Sequence, residues 1–197
     1  MINQNYLNKY NLEIIKKQFS KYKMIRLGFF IENKLYKKLK REIQKEKFEK
    51  KKIADKFSYS ACSSAKSIKN IFNSDELKFV IESILNKKIN KIKLEIKKFQ
   101  HGNYTLMHDS NINKDNLKFY LFICNSWNPK WGGNKVYIKK EKSYVFSPNG
   151  NSFILIRNEK NSKNFIQYIN HQARNNKLII LQGGFDLMPP TKIDIKS

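Results

Sequence analysis

Few side chains in this chain could do chemistry beyond pairing charges. There are three histidines, His101, His108 and His171, and two cysteines, Cys62 and Cys124. His108 stands directly before Asp109 and Ser110. On a strand, alternate residues share a face, so His108 and Ser110 point one way and Asp109 the other. Asp109 can reach the side of His108 only where the strand ends or bulges. His101 precedes a glycine and is expected to be structural. His171 is expected to be a turn or surface residue, with Arg174 and Lys177 the cations that follow it.

The elements that must position these groups are mostly strands. After Asn86 the chain turns to short β-type runs: Ile92–Phe99, Tyr104–His108, Leu117–Cys124, Lys135–Ile138, Tyr144–Phe146, Ser152–Ile156, Phe165–Ile169 and Lys177–Leu181. Eight such runs separated by turn residues predict a β-sandwich or jelly roll. Before them the pattern is helical. Residues 1–23 predict an amphipathic helix, Met24–Ile31 a strand, and Glu32–Lys52 a second helix with Leu35, Leu39, Ile43 and Phe48 on one face. Residues 53–66 are expected to be irregular, and Ser74 to cap a helix beginning at Asp75-Glu76. The expectation is one α+β domain over 1–197, with 1–90 a mostly helical support layer containing one strand, 91–186 the jelly-roll core and 187–197 a tail.

At the centre lies Leu117–Ile138, in which an apolar run is followed by Trp127, Pro129, Trp131, Gly132 and Gly133. The paired glycines supply the positive-φ freedom of a tight turn, and the tryptophans can cover the sheet edge. Residue for residue, Trp127-Asn128-Pro129-Lys130-Trp131-Gly132-Gly133 resembles the W-x-P-x-W-G-G signature of prolyl-hydroxylase-type 2-oxoglutarate and Fe(II) dependent dioxygenases. The resemblance spans residues 25–186 and implies a double-stranded β-helix, or jelly roll, with N-terminal supporting helices.

The resemblance also implies an iron site of two imidazoles and one carboxylate, with a basic residue clamping 2-oxoglutarate. Its metal positions fall on His108, Ser110 and Ile166. Ile166 cannot bind a cation, and Ser110 lacks the carboxylate. The clamp falls on Lys177 counting from Ile166, or on Leu178 counting back from Gly183-Gly184-Phe185, with Arg174 the nearest arginine. A tyrosine that helps hold the cosubstrate falls on Phe122. Two readings follow. In one, the chain is a pseudo-oxygenase that has lost its iron triad and acts as a binding module. In the other, it is an active protein hydroxylase with a rearranged triad of His108, Asp109 and His171, using Fe(II) and 2-oxoglutarate held by Lys177 or Arg174.

The bulk properties add a third class. The formal net charge is +24, from 40 lysines and arginines against 16 acids. Such a field favours RNA or ribosome binding, with Tyr104, Trp127 and Trp131 as stacking platforms. Only Arg26, Arg41, Arg157 and Arg174 are arginines, however, and nucleic-acid surfaces lean on arginine. The richness in Lys, Asn and Ile is also what an AT-rich genome would encode. A protein substrate or partner is expected. Two cysteines make no disulfide framework, which points to a reducing cytoplasm. No apolar run approaches the roughly 18 residues of a membrane span.

Overall fold

The computed structural model of the protein describes residues 1–62, 66–109 and 117–189. Helix α1 (Lys9–Tyr22) begins where the Asn8 side chain accepts hydrogen bonds from the backbone N–H groups of Tyr10 and Asn11. It ends at Lys23, in a left-handed conformation whose N–H reaches the Phe19 carbonyl. Its apolar positions Leu12, Ile15 and Phe19 are buried on one face. Strand β1 (Met24–Leu27) follows directly, then α2 (Asn33–Lys45), which buries Tyr36, Leu39 and Ile43. The expected continuation of α2 to Lys52 is corrected.

Residues 49–62 instead form a hairpin of β2 (Glu49–Ile53) and β3 (Phe57–Cys62), so the expectation of an irregular 53–66 is also corrected over 57–62. The reason is physical. Strand β2 is exposed along its whole length, so nothing in its Lys-rich sequence needs an apolar alternation. Strand β3 packs Tyr59 against Phe99, at 5.7 Å between ring centroids, and Cys62 against the helix-side core. Helices α3 (Lys66–Phe72) and α4 (Asp75–Leu85) complete the helical layer. Ser74 caps α4 as expected, its hydroxyl accepting from the Leu77 N–H.

The remaining strands are β4 (Ile89–Phe99), β5 (Tyr104–Asp109), β6 (Leu117–Ile123), β7 (Lys135–Lys139), β8 (Lys142–Phe146), β9 (Ser152–Arg157), β10 (Lys163–Ile166) and β11 (Leu178–Leu187). Among the described residues the strands join in one curled antiparallel sheet, in the order β1-β9-β6-β11-β4-β3-β5-β10-β7-β8, with β2 pairing on β3. The sheet folds over at the β3–β5 contact, where Phe57 pairs with Thr105 and Ser58 with Tyr104. One wall is thus β1-β9-β6-β11-β4-β3 and the other β5-β10-β7-β8. This is the double-stranded β-helix with supporting helices, of α+β class.

Strand alternation divides the core in two. The outward faces of β6, β9 and β11 bury Phe119, Leu121, Phe153, Leu155, Leu181 and Phe185 against α1, α2, α3 and α4. The inward faces bury Phe99, Tyr120, Phe122, Tyr137, Ile154, Ile166, Leu178 and Ile180 inside the roll. Each such side chain contributes about 1.5–3 kcal/mol. The helices therefore brace one wall, and the cavity at the mouth of the roll is lined from both walls.

Candidate functional site

The tryptophan–glycine segment is a 3-10 turn (Pro129–Trp131) with Asn128 capping it through Lys130 N–H. Trp127 and Trp131 meet edge to face at 5.3 Å, and Trp127 Nε1–H donates to the Gly132 carbonyl at 2.9 Å. Gly132 has φ +81°, and a Cβ there would lie 2.0 Å from the Tyr168 carbonyl oxygen. The turn is thereby pinned to the loop after β10, where Asn170 reaches the Lys130 and Trp131 carbonyls. Both tryptophans are half-buried against the interior core, and Tyr104 is half-buried beside Tyr168. They are braces of the roll more than open stacking platforms.

Register sets the interior. On the braced wall, Lys97 of β4 pairs with Ile180 and Glu95 with Gln182 of β11, while Tyr120 and Phe122 of β6 pair with Gln182 and Ile180. Opposite, Lys135 and Tyr137 of β7 pair with Ile166 and Asn164 of β10, and Asn164 pairs in turn with His108 of β5. The roll is therefore graded along its axis. Its closed end is filled by Phe99, Phe122, Leu178 and Ile180, each fully buried. Its mouth opens on a cavity of about 370 Å³ whose walls include Lys93, Glu95, Lys97, His108, Lys118, Tyr120, Lys135, Asn164 and Ile166.

Lys135 is the unusual member. Its side chain is only 3 % exposed, its Nζ donates to Asn164 Oδ1, and it lies over the Tyr120 ring at 4.5 Å from the centroid. Burial, reinforced by the neighbouring Lys97 charge, pushes its amine down to about 7. Burial raises the Tyr120 phenol. Lys97 sits 3.3 Å from Glu95 and over the Tyr59 ring at 4.2 Å; Gln182 also donates to Glu95 at 3.2 Å. Alternation places Lys135 on the same face as Tyr137 and Lys139, so nothing in the sequence sets it apart from a solvated strand end.

The candidate iron and cosubstrate residues fall in different places. His108 lines the mouth, exposed, with Nδ1 2.9 Å from the Leu106 carbonyl. Ile166, where the resemblance places the second imidazole, lines the same cavity and is 2 % exposed. The Asp109 side chain and Ser110 lie outside the described residues. His171 is exposed at the start of a 3-10 turn (His171–Ala173) beyond β10, and is not among the residues lining that cavity. Arg174 and Lys177 line a separate surface cavity with His101. Leu178, one of the two positions on which the expected clamp falls, and Phe122, on which the expected tyrosine falls, are apolar packing at the closed end. Among the described residues no three His, Cys, Asp or Glu side chains converge on one point. Ile166, where the resemblance places the second imidazole, offers no lone pair to a metal, and it pairs across the strands with the buried Lys135.

The fold is the double-stranded β-helix also seen in solved prolyl hydroxylases. Over 83 residues the chain is 31% identical to prolyl 3-hydroxylase OGFOD1 of Mus musculus, and over 86 residues 28% identical to that of Xenopus laevis. These segments are 40% and 41% of this chain but 15% and 17% of the two relatives. Among solved structures, a Pseudomonas putida prolyl-4-hydroxylase matches with TM-score 0.72 at 12% identity, over 90% of this chain and 100% of its own. A Trichoplax adhaerens prolyl hydroxylase, solved with a hypoxia inducible factor peptide fragment, matches with TM-score 0.70 at 13% identity, over 93% and 92%. No family model matches the chain.

Proposed function

We propose that this protein is a pseudo-oxygenase: a prolyl-hydroxylase-type roll whose iron chemistry has been lost and whose mouth serves as a binding site. The observation that carries this reading is the register pair Ile166–Lys135. Isoleucine has no lone pair to offer a metal. An ammonium on the facing strand repels a dication, and a neutral amine there is held by Asn164. The closed end supports the same reading. Of the two positions on which the cosubstrate clamp falls, Leu178 is packed in the interior core and Lys177 lines a separate cavity with Arg174, while Phe122, where a hydroxyl is expected, is packed among aromatic and aliphatic neighbours.

A protein partner at the mouth is in keeping with the prolyl hydroxylase names of the relatives and the peptide bound to one structural neighbour. The test is turnover. Purified protein incubated with Fe(II), ascorbate and 2-oxoglutarate should release no succinate above a denatured control, with or without proline-containing peptides. Succinate formation that disappears in His108→Ala would establish an active oxygenase instead.

A further inference from the structure

On the outside of the roll, the helices cover the braced wall only in part. There Lys98 of β4, Ile179 of β11 and Ile123 of β6 pair in one row across three strands. Alternation turns all three outward, since Phe99, Leu178 and Phe122 beside them pack inside the roll. Helix α2 lays Lys40, Ile43 and Gln44 over this row, a spacing that shares one helix face, and stops at Lys45. Between them lies a cavity of about 370 Å³, floored by Ile43, Phe48, Ile123 and Ile179. A second cavity of about 320 Å³ adjoins it: Asn175 and Lys177 line both, and His101 and Arg174 line the second. No Asp or Glu among the described residues lines either one. Lys40 donates to the Asn125 side chain at 2.8 Å, and Lys98 lies over the Phe48 ring at 4.2 Å, so both have neutral partners. Burial and the nearby Lys177 charge lower the Lys98 amine, which marks a crowding of like charges. Arg174 sits at φ +48° and ψ −122°, a conformation that favours glycine, yet the position carries the forked cation that suits phosphate oxygens.

We propose that the two adjoining cavities bind a mononucleotide, its base in the apolar cavity and its phosphate at the seam among Lys98, Lys177 and Arg174. The cations call for an anion, and the apolar floor calls for an apolar or planar body attached to it. The rim decides which body. Gln44, Asn125 and Asn175 place side-chain amides around the floor; amides donate and accept as the edge of a base does, whereas an alkyl chain would cover them without pairing them. Each cavity is at the lower end of ligand pockets in size, which suits a ligand in two parts. The same unit is presented by a free nucleotide and by single-stranded RNA. This site lies outside the roll, so its occupancy is independent of iron in the mouth.

The test is calorimetric titration of the whole protein at about 0.15 M salt, where loose phosphate contacts are screened, with AMP in one arm and single-stranded oligoadenylate in the other. Saturable binding is expected in at least one arm. Binding of AMP shows that a free nucleotide suffices, and binding of the oligonucleotide alone identifies the unit within RNA. Lys177→Met, at an exposed residue, should weaken binding about tenfold or more. Arg174→Gly should do the same while relieving the backbone, so that its loss cannot be put down to unfolding. Lys87→Met, which removes one charge at a distant exposed cavity, should leave binding unchanged. Ribose 5-phosphate, or an abasic strand in the RNA arm, should bind about tenfold more weakly because the apolar cavity stays unfilled. No saturable binding in either arm, binding that survives both Lys177→Met and Arg174→Gly, equal loss in Lys87→Met, or equal binding without the base overturns the proposal.

Discussion

Replacing Lys135 with methionine should stabilise the protein, and the gain should shrink as pH rises. The sign follows from the lowered amine. An unfolded lysine titrates near 10.4, whereas in the fold burial and Lys97 hold Lys135 at about 7. Between these values the unfolded chain binds the extra proton, so stability rises with pH. The penalty is complete below about 7 and is gone above the unfolded value. Each unit of displacement is worth about 1.4 kcal/mol, so the penalty at neutral pH is on the order of 5 kcal/mol.

Methionine fills a similar volume without the charge, but it leaves the Asn164 oxygen without the lysine donor, at a cost of about 1–3 kcal/mol. The net gain at pH 7 should be about 2–4 kcal/mol, falling by about 1.4 kcal/mol per pH unit toward pH 9.5. The other groups facing this amine are Lys93, Glu95 and Lys97 from β4, His108 from β5, and Lys118 and Tyr120 from β6, with Tyr137 on its own strand. They remain in both proteins, so urea denaturation of wild type and Lys135→Met at matched pH values, without multivalent anions, isolates the Lys135 contribution. A difference that does not change between pH 7 and 9.5 would mean that the amine keeps its charge in the fold, and the argument from burial would fail.

Gly132→Ala should be among the most damaging surface-turn changes, because the new Cβ would lie 2.0 Å from the Tyr168 oxygen at a φ of +81°. A loss above about 3 kcal/mol is expected, and a melting temperature within a degree of wild type would refute the packing described. Ser74→Ala removes the hydroxyl that caps α4; denaturation should show a loss of about 1 kcal/mol. Burial pushes the Cys124 thiol up to about 12, so iodoacetamide at pH 8 should leave Cys124 unmodified in native protein and label it in urea; native labelling would place it outside the core.

The strands flanking the signature were legible because they are buried on both faces, and burial writes itself into sequence as apolar runs such as Leu117–Cys124. The α4 cap was legible because its chemistry is local. The β2–β3 hairpin was not. Its outer strand is wholly exposed, and Lys50-Lys51-Lys52 carries no period to distinguish strand from helix. At the site, the resemblance brought His108 and Ile166 to one cavity. It could not reveal Lys135, since a lysine beginning a strand reads as a solvated end until the facing strand β10 is known.

The pseudo-oxygenase reading depends on the mouth being unable to chelate iron. The most direct measurement is the metal content of protein reconstituted anaerobically with excess Fe(II) and 2-oxoglutarate, then freed of unbound metal. The account predicts far less than one iron per chain, unchanged in His108→Ala. One iron per chain, lost in His108→Ala, would contradict it.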